Sequence, residues 1–133
     1  MKITRDHLRF LHQKIPHQKR QGPRGIMLDY IDSRQVMGLL DAVVGPENWS
    51  DSYVEISGSL FCKISIKVDG QWISKMDCGS ESAIESEKGQ ASDAFKRAAV
   101  KWGIGRFLYP KTDPQKAYKY KVHIDPKPEI IQE

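Results

Sequence analysis

YVEISGSLFCKISIKVDGQWISKMDC, residues 53 to 78, is the stretch whose reading decides the fold. Leu60, Cys62, Ile64, Ile66 and Val68 alternate with Phe61, Lys63, Ser65 and Lys67. A period of two is a strand with one apolar face. Asp69-Gly70 follows, and this pair favours a two-residue hairpin turn, because glycine supplies the positive φ such a turn needs. Gln71 to Cys78 is then the returning strand. Tyr53-Val54-Glu55-Ile56 reads as an earlier strand, joined through Ser57-Gly58-Ser59. The pattern predicts a three-stranded antiparallel meander. Lys63, Lys67 and Lys75 are assigned to its wet face and to no site.

Downstream, 79 to 87 is a small-residue, acidic connector, and KGQASDAFKRAAVKWGIGRFLY occupies 88 to 109. At 100° per residue Ala91, Ala94, Phe95, Ala98 and Trp102 share one stripe, which predicts a helix. Three alanines in that stripe let it lie close to a sheet. The cations are Lys88, Lys96, Arg97, Lys101 and Arg106, with Lys111 just beyond, and Asp93 is the one acid between 88 and 109. Arg97 and Lys101 are four apart and share a flank, Lys96 sits across the polar arc, and Asp93 is in pairing reach of Arg97. Gly103 and Gly105 let the chain turn at the helix end. A patch of Lys96, Arg97, Lys101 and Arg106 suits phosphate oxygens. The ordinary alternative is a solvated helix face. GIG is not a nucleotide cradle, since it ends a helix and phosphate loops precede one.

Upstream, Ser33 is a candidate cap for a helix over roughly 33 to 44, with Val36, Leu39, Leu40 and Val43 at helical spacing. Gly45-Pro46 stops it, and Trp49 anchors the turn to the core. Residues 16 to 25, PHQKRQGPRG, read as a solvated loop. In residues 1 to 15, Leu8, Leu11 and Ile15 form one helical stripe, with Thr4 or Asp6 as cap. The whole predicts an α+β chain. A three-stranded antiparallel meander packs against a long basic helix, with short helices at the N-terminus.

The chain has 133 residues, 39% hydrophobic, with a net charge of +4. That length suits one domain, 1–133, with a core over about 29–110 and a tail over about 111–133. An excess of +4 permits an anionic partner without requiring one. No secretion leader and no apolar run of bilayer length is expected, which points away from membranes and toward the cytoplasm. Cys62 and Cys78 lack CxxC spacing and read as buried apolar residues. Catalysis is not expected. Asp29, Asp32 and Asp41, and Glu81, Glu85 and Glu87, are carboxylates without a convincing partner for Mg²⁺ chemistry. His7, His12 and His17 recur every five residues, off one helical face. No cofactor and no metal site are expected.

Two motifs carry a resemblance. KGQASDAFKRAAVKWGIGRFLYP resembles the signature helix of the Rad52 family of single-strand annealing proteins. YIDSRQVMGLLDAVVGPENW resembles that family's earlier motif, a tyrosine-led helix followed by glycine and tryptophan. The Asp69-Gly70 hairpin lies between them, as in the family, so the resemblance spans 29 to 110. The GIGRFLY ending looks most like the bacterial and phage branch, including its DNA-damage-response relatives.

The resemblance implies a closed ring of identical subunits, with single-stranded DNA in a basic groove and annealing without ATP. Lys96-Arg97 matches the family's DNA-contacting Lys-Arg pair. The eukaryotic members' further arginine one turn on falls at Val100 here, with Lys101 beside it. Their first-motif arginine falls at Gln35, with Arg34 adjacent. The implied DNA-binding residues are Lys96, Arg97, Lys101, Arg106, Arg34 and Lys88. Partners implied are single-stranded DNA, further copies of the chain, and a single-strand-binding protein or recombinase. The long recombinase-binding region of eukaryotic members has no counterpart here.

The physics is consistent with that reading. Cations along a groove hold phosphates without reading sequence, and repeating a weak site around a ring adds avidity. A non-annealing nucleic-acid-binding or protein-interaction module is the alternative. In the tail, Tyr118, Tyr120 and Val122 alternate with Lys119, Lys121 and His123. A half-buried final strand is preferred there over aromatics that stack on bases.

Overall fold

The computed structural model describes residues 2–80 and 86–108, and for 86–88 the backbone only. It is a mixed α+β structure. β3 (Trp49–Ile56), β4 (Ser59–Val68) and β5 (Gln71–Cys78) form an antiparallel sheet in the order β3-β4-β5. Both connections are two-residue turns with positive φ at both positions. Asp69 and Gly70 have φ of 52° and 81°, and Ser57 and Gly58 have 51° and 83°. Such turns match the right-handed twist of the strands they join. The expected meander is present.

Register divides the sheet into two faces. Ile66 lies opposite Trp49 and Ile73, and Ile64 lies opposite Asp51 and Lys75. On this inner face Cys62, Ile64, Ile66 and Val68 are buried. α2 (Ser86–Lys101) packs across β4 and β5. Its buried stripe is Ala94, Phe95, Ala98 and Ala99, continued by Trp102. The Trp102 indole Nε1 donates to Ile64 O at 3.1 Å, tying the helix end to the central strand. Burying Phe95 and Trp102 supplies roughly 2–3 kcal/mol each at about 25 cal/mol per Å².

The assignment of Lys75 to the wet face is corrected. It shares the inner face with Ile64, and its ammonium lies over the Trp102 ring, 4.8 Å from the centroid. Lys63 and Lys67 do project from the outer face. Cys62 is fully buried and Cys78 half-buried, both as free thiols.

α1 (Ser33–Val43) buries Val36, Leu39, Leu40 and Val43. Its cap is Asp32 rather than Ser33. Asp32 Oδ1 accepts from Gln35 N–H, and Gln35 Oε1 accepts from Asp32 N–H, both at 2.9 Å. This reciprocal box satisfies two backbone donors at once, which a lone Ser33 hydroxyl could not. Trp49 donates from Nε1 to Asp41 Oδ1 and lies 6.3 Å from Phe95, so it does anchor the turn after α1.

Two further expectations are corrected. The N-terminal helix is a 3₁₀ segment, Arg5–His12, and it ends before Ile15. Pro16 explains this, since the residue before a proline is driven out of the helical region. Leu11 still reaches the core. The supposed loop over 16–25 is mostly a hairpin. β1 (Gln18–Gln21) pairs with β2 (Met27–Tyr30) around Pro23–Gly25. Gly22 N–H donates to Ile26 O at 2.6 Å to close it. The expectations for the tail and for residues 81–85 of the connector lie outside the described residues. Among the described residues no helix is long and apolar enough to cross a membrane.

Candidate nucleic-acid interface

Tyr30 ends β2, and its ring lies between two elements. The Arg20 guanidinium of β1 is 5.5 Å from the ring centroid, and the Lys96 ammonium of α2 is 6.0 Å from it. Cations over an aromatic face are held electrostatically, by about 0.5–1 kcal/mol at exposed sites. The hairpin therefore stands beside α2 at Lys96. Lys19 extends the positive edge and lies 3.9 Å from Asp29.

Two contacts fix the wall beneath. Ser33 and Ser92 join α1 to α2 through hydroxyls 2.8 Å apart. Arg34, exposed, follows Ser33 directly at the same helix start. At the hairpin base His17 lies 6.0 Å from Phe107, in the turn that leaves α2.

The predicted cations do not form one patch. Lys96 faces the hairpin. Arg97, on the next flank, pairs through Nε with Asp93 Oδ2 at 3.2 Å, and that oxygen also accepts from Ser80 N–H at 2.7 Å. Lys101 turns toward β5 and donates to Met76 O. Arg106 folds back over the helix end, donating from Nε to Val100 O and from NH2 to Lys101 O, both at 2.8 Å. Lys75 reaches the same Lys101 carbonyl at 3.3 Å. Cations at the last carbonyls of a helix suit its dipole, so Arg106 and Lys75 have a structural task. The expectation for Lys88 falls on a side chain outside the described part. The long basic helix read from the sequence is thus a 16-residue helix whose cations are distributed over different neighbours.

The turn itself is tight. Gly103 has φ of 106° and Gly105 of 83°. A Cβ on Gly103 would sit 2.5 Å from His12 Nε2. Burial holds the His12 pKa below its usual value, and the charges of Arg106 and Lys75 push it the same way. On the sheet, burial pushes the Cys62 thiol up to about 11, and Asp51 adds to it. Among the described residues no three His, Cys, Asp or Glu side chains gather as a metal-holding group.

Sequence reasoning missed Arg20, Lys19 and Tyr30 as neighbours of Lys96. The signal available was Gly22-Pro23-Arg24-Gly25, a turn string between two short runs.

An α+β core with a basic hairpin set beside its helix is the architecture on which the comparisons converge. The chain matches the Rad52/22 family of double-strand break repair proteins over residues 5–126, and it belongs to that family. Among named relatives it is similar to the single-stranded DNA-binding protein DdrA of Deinococcus radiodurans, 36% identical over 88 residues. It is likewise similar to DdrA of Deinococcus deserti, 39% identical over 88 residues. Each match covers 65% of this chain and 42% or 43% of the relative. The chain thus spans about two fifths of the length of the curated relatives it matches.

Proposed function

We propose that this chain binds single-stranded DNA in DNA repair and recombination and anneals complementary strands without nucleotide, as an oligomeric ring and not as an enzyme. The strand lies between the β1–β2 hairpin and α2. Lys96 and Arg97 grip phosphates from the helix, Arg20 and Lys19 from the hairpin, and Arg34 and Lys88 flank them. Arg97 enters by exchanging Asp93 for a phosphate. Lys101 and Arg106, whose donors already serve carbonyls, contribute long-range positive charge. The observation that carries this reading is the convergence of Arg20 and Lys96 on Tyr30. It joins cations from two elements that are distant in sequence, beside an aromatic ring on which a base stacks. Membership of a double-strand break repair family supports it, as do relatives named for single-stranded DNA binding.

The test is fluorescence anisotropy of a labelled strand. Lys96→Ala with Arg97→Ala should weaken binding by about 1–3 kcal/mol for all sequences alike. Each lost phosphate contact should flatten the salt slope by about 0.7. Annealing should be faster than with polylysine of equal charge and independent of ATP and divalent metal. Unchanged affinity in the folded double variant would remove the pair from the site. Binding without any annealing above the polylysine control would leave a strand-binding module, which is the second reading the relatives' name favours.

A further inference from the structure

The exposed large apolar side chains are not scattered. Apart from Met37 and the hairpin residues Ile26, Met27 and Leu28, they lie on the two edge strands. Tyr53, Val54 and Ile56 are on β3, and Trp72 and Ile73 on β5, with Trp72 51% and Tyr53 45% exposed. Edge strands of soluble proteins are normally guarded by proline, lysine or a bulge. Neither strand has a proline, and β3 has no lysine. Pairing runs without an inserted residue from Trp49 to Ile56 and from Gln71 to Cys78, so neither is bulged. The one lysine, Lys75 on β5, is turned back over Trp102 and the end of α2. Among the described residues no strand pairs with the outer side of either.

The two flanks also differ in charge. Between Arg34 and Lys63 the only charged residues are Asp41, Glu47, Asp51 and Glu55. All four are exposed, on or leading into β3. The β5 flank carries Lys75, with Lys101 and Arg106 at the adjoining helix end. One flank is acidic and apolar, the other basic and apolar. A like-with-like contact of two β3 edges would set carboxylates against carboxylates, and such juxtaposition is costly. A contact of β3 with β5 pairs opposite charges.

We infer that copies of this chain join head to tail, with the acidic β3 edge of one set against the β5 edge and the basic α2 terminus of the next. β3 and β5 run in the same direction, so the strands would meet in parallel and the sheet would continue from copy to copy. A head-to-tail contact of this kind repeats, closing into a ring or running on as a filament. The inference rests on the oligomeric reading above and names the surfaces that make it.

The experiment is light scattering on the 133-residue chain and two surface variants, each confirmed folded by circular dichroism. Val54→Lys with Ile56→Lys blocks β3, and Trp72→Glu with Ile73→Glu blocks β5. The parent should be larger than a dimer. Each variant alone should fall to monomer mass. Mixed one to one, the two should form a dimer and stop, because each keeps the edge the other has lost. Variants that assemble like the parent would overturn the inference, as would a parent that is monomeric at tens of micromolar. So would variants that each form dimers alone, since like edges would then be pairing. Anisotropy on the same samples keeps the two readings apart. Assembly that obeys the edge rules with no strand binding would sink the proposed function and leave the head-to-tail contact standing. Strand binding by a parent that never assembles would do the reverse.

Discussion

The three-stranded sheet and the β1–β2 hairpin are both antiparallel, yet they are held by different forces. The sheet buries a full face beneath α2, with Cys62, Ile64 and Ile66 at no measurable exposure. The hairpin buries nothing completely, and all four residues of β1 are exposed. It is positioned instead by a tyrosine shared between two cations and by ring contact at its base. An isolated two-stranded hairpin is marginal in water. A polar, weakly buried element beside a rigid core is where a ligand is expected to bind. The comparison separates what makes the molecule fold from what lets it hold a partner.

The largest effect should come where the core side of this division is tightest. Gly103→Val must place a branched side chain at φ of 106° and inside contact distance of the His12 ring. Strain and overpacking together should cost about 2–6 kcal/mol. Chemical denaturation should show this, and a variant as stable as the parent would mean the turn can rearrange freely. Next, Ile66→Ala, at the centre of β4, should cost about 2–5 kcal/mol by loss of transfer energy and a cavity. The hairpin should respond in the opposite pattern. Arg20→Ala and Tyr30→Ala should each change stability by less than about 0.5 kcal/mol, yet weaken strand binding by about 1–3 kcal/mol through lost stacking and charge. If melting drops while affinity holds, the division between fold and interface collapses.

The smallest effect sharpens the boundary at His12. Its folded pKa is depressed, by burial first and then by Arg106 and Lys75. The unfolded chain therefore takes up the proton first, and stability declines as pH falls through the usual value of 6.5 toward the lower folded value. Above that window both states are neutral and His12 adds no slope. His12→Gln should flatten the fall in melting temperature between neutral and mildly acid pH. An unchanged slope would assign it to other groups.

The same division explains what was legible in the sequence. Burial writes a period. Leu60 to Val68 alternates because one face is covered, and Ala94, Ala98 and Trp102 recur because one stripe is covered. Both elements, and the two turns that join the meander, could be read directly. β1 has no apolar residue to alternate, so Gln18 to Gln21 looked like a loop. Asp32 and Ser33 are both good caps, and only geometry distinguishes the Asp32–Gln35 box. In the site, Lys96 and Arg97 were found through the helix they occupy. Arg20 and Tyr30 were not linked to them, because their proximity depends on how the hairpin folds over α2. Lys101 and Arg106 were found as charges, while their bonds to carbonyls could be seen only once the helix end was placed on β5.

The two-residue connections of the meander bear on how fast the chain folds. Every pairing in the β3-β4-β5 sheet joins strands adjacent in sequence, so little loop entropy is lost before contacts form, and hairpins of this kind close in about 1–10 µs. The clasp of Asp69 N–H on Ile3 O, at 2.7 Å, spans the first half of the chain. Contacts of such long separation form late. The sheet should therefore be protected from hydrogen exchange early in refolding, with the N-terminal segment sealing last, over a core already built.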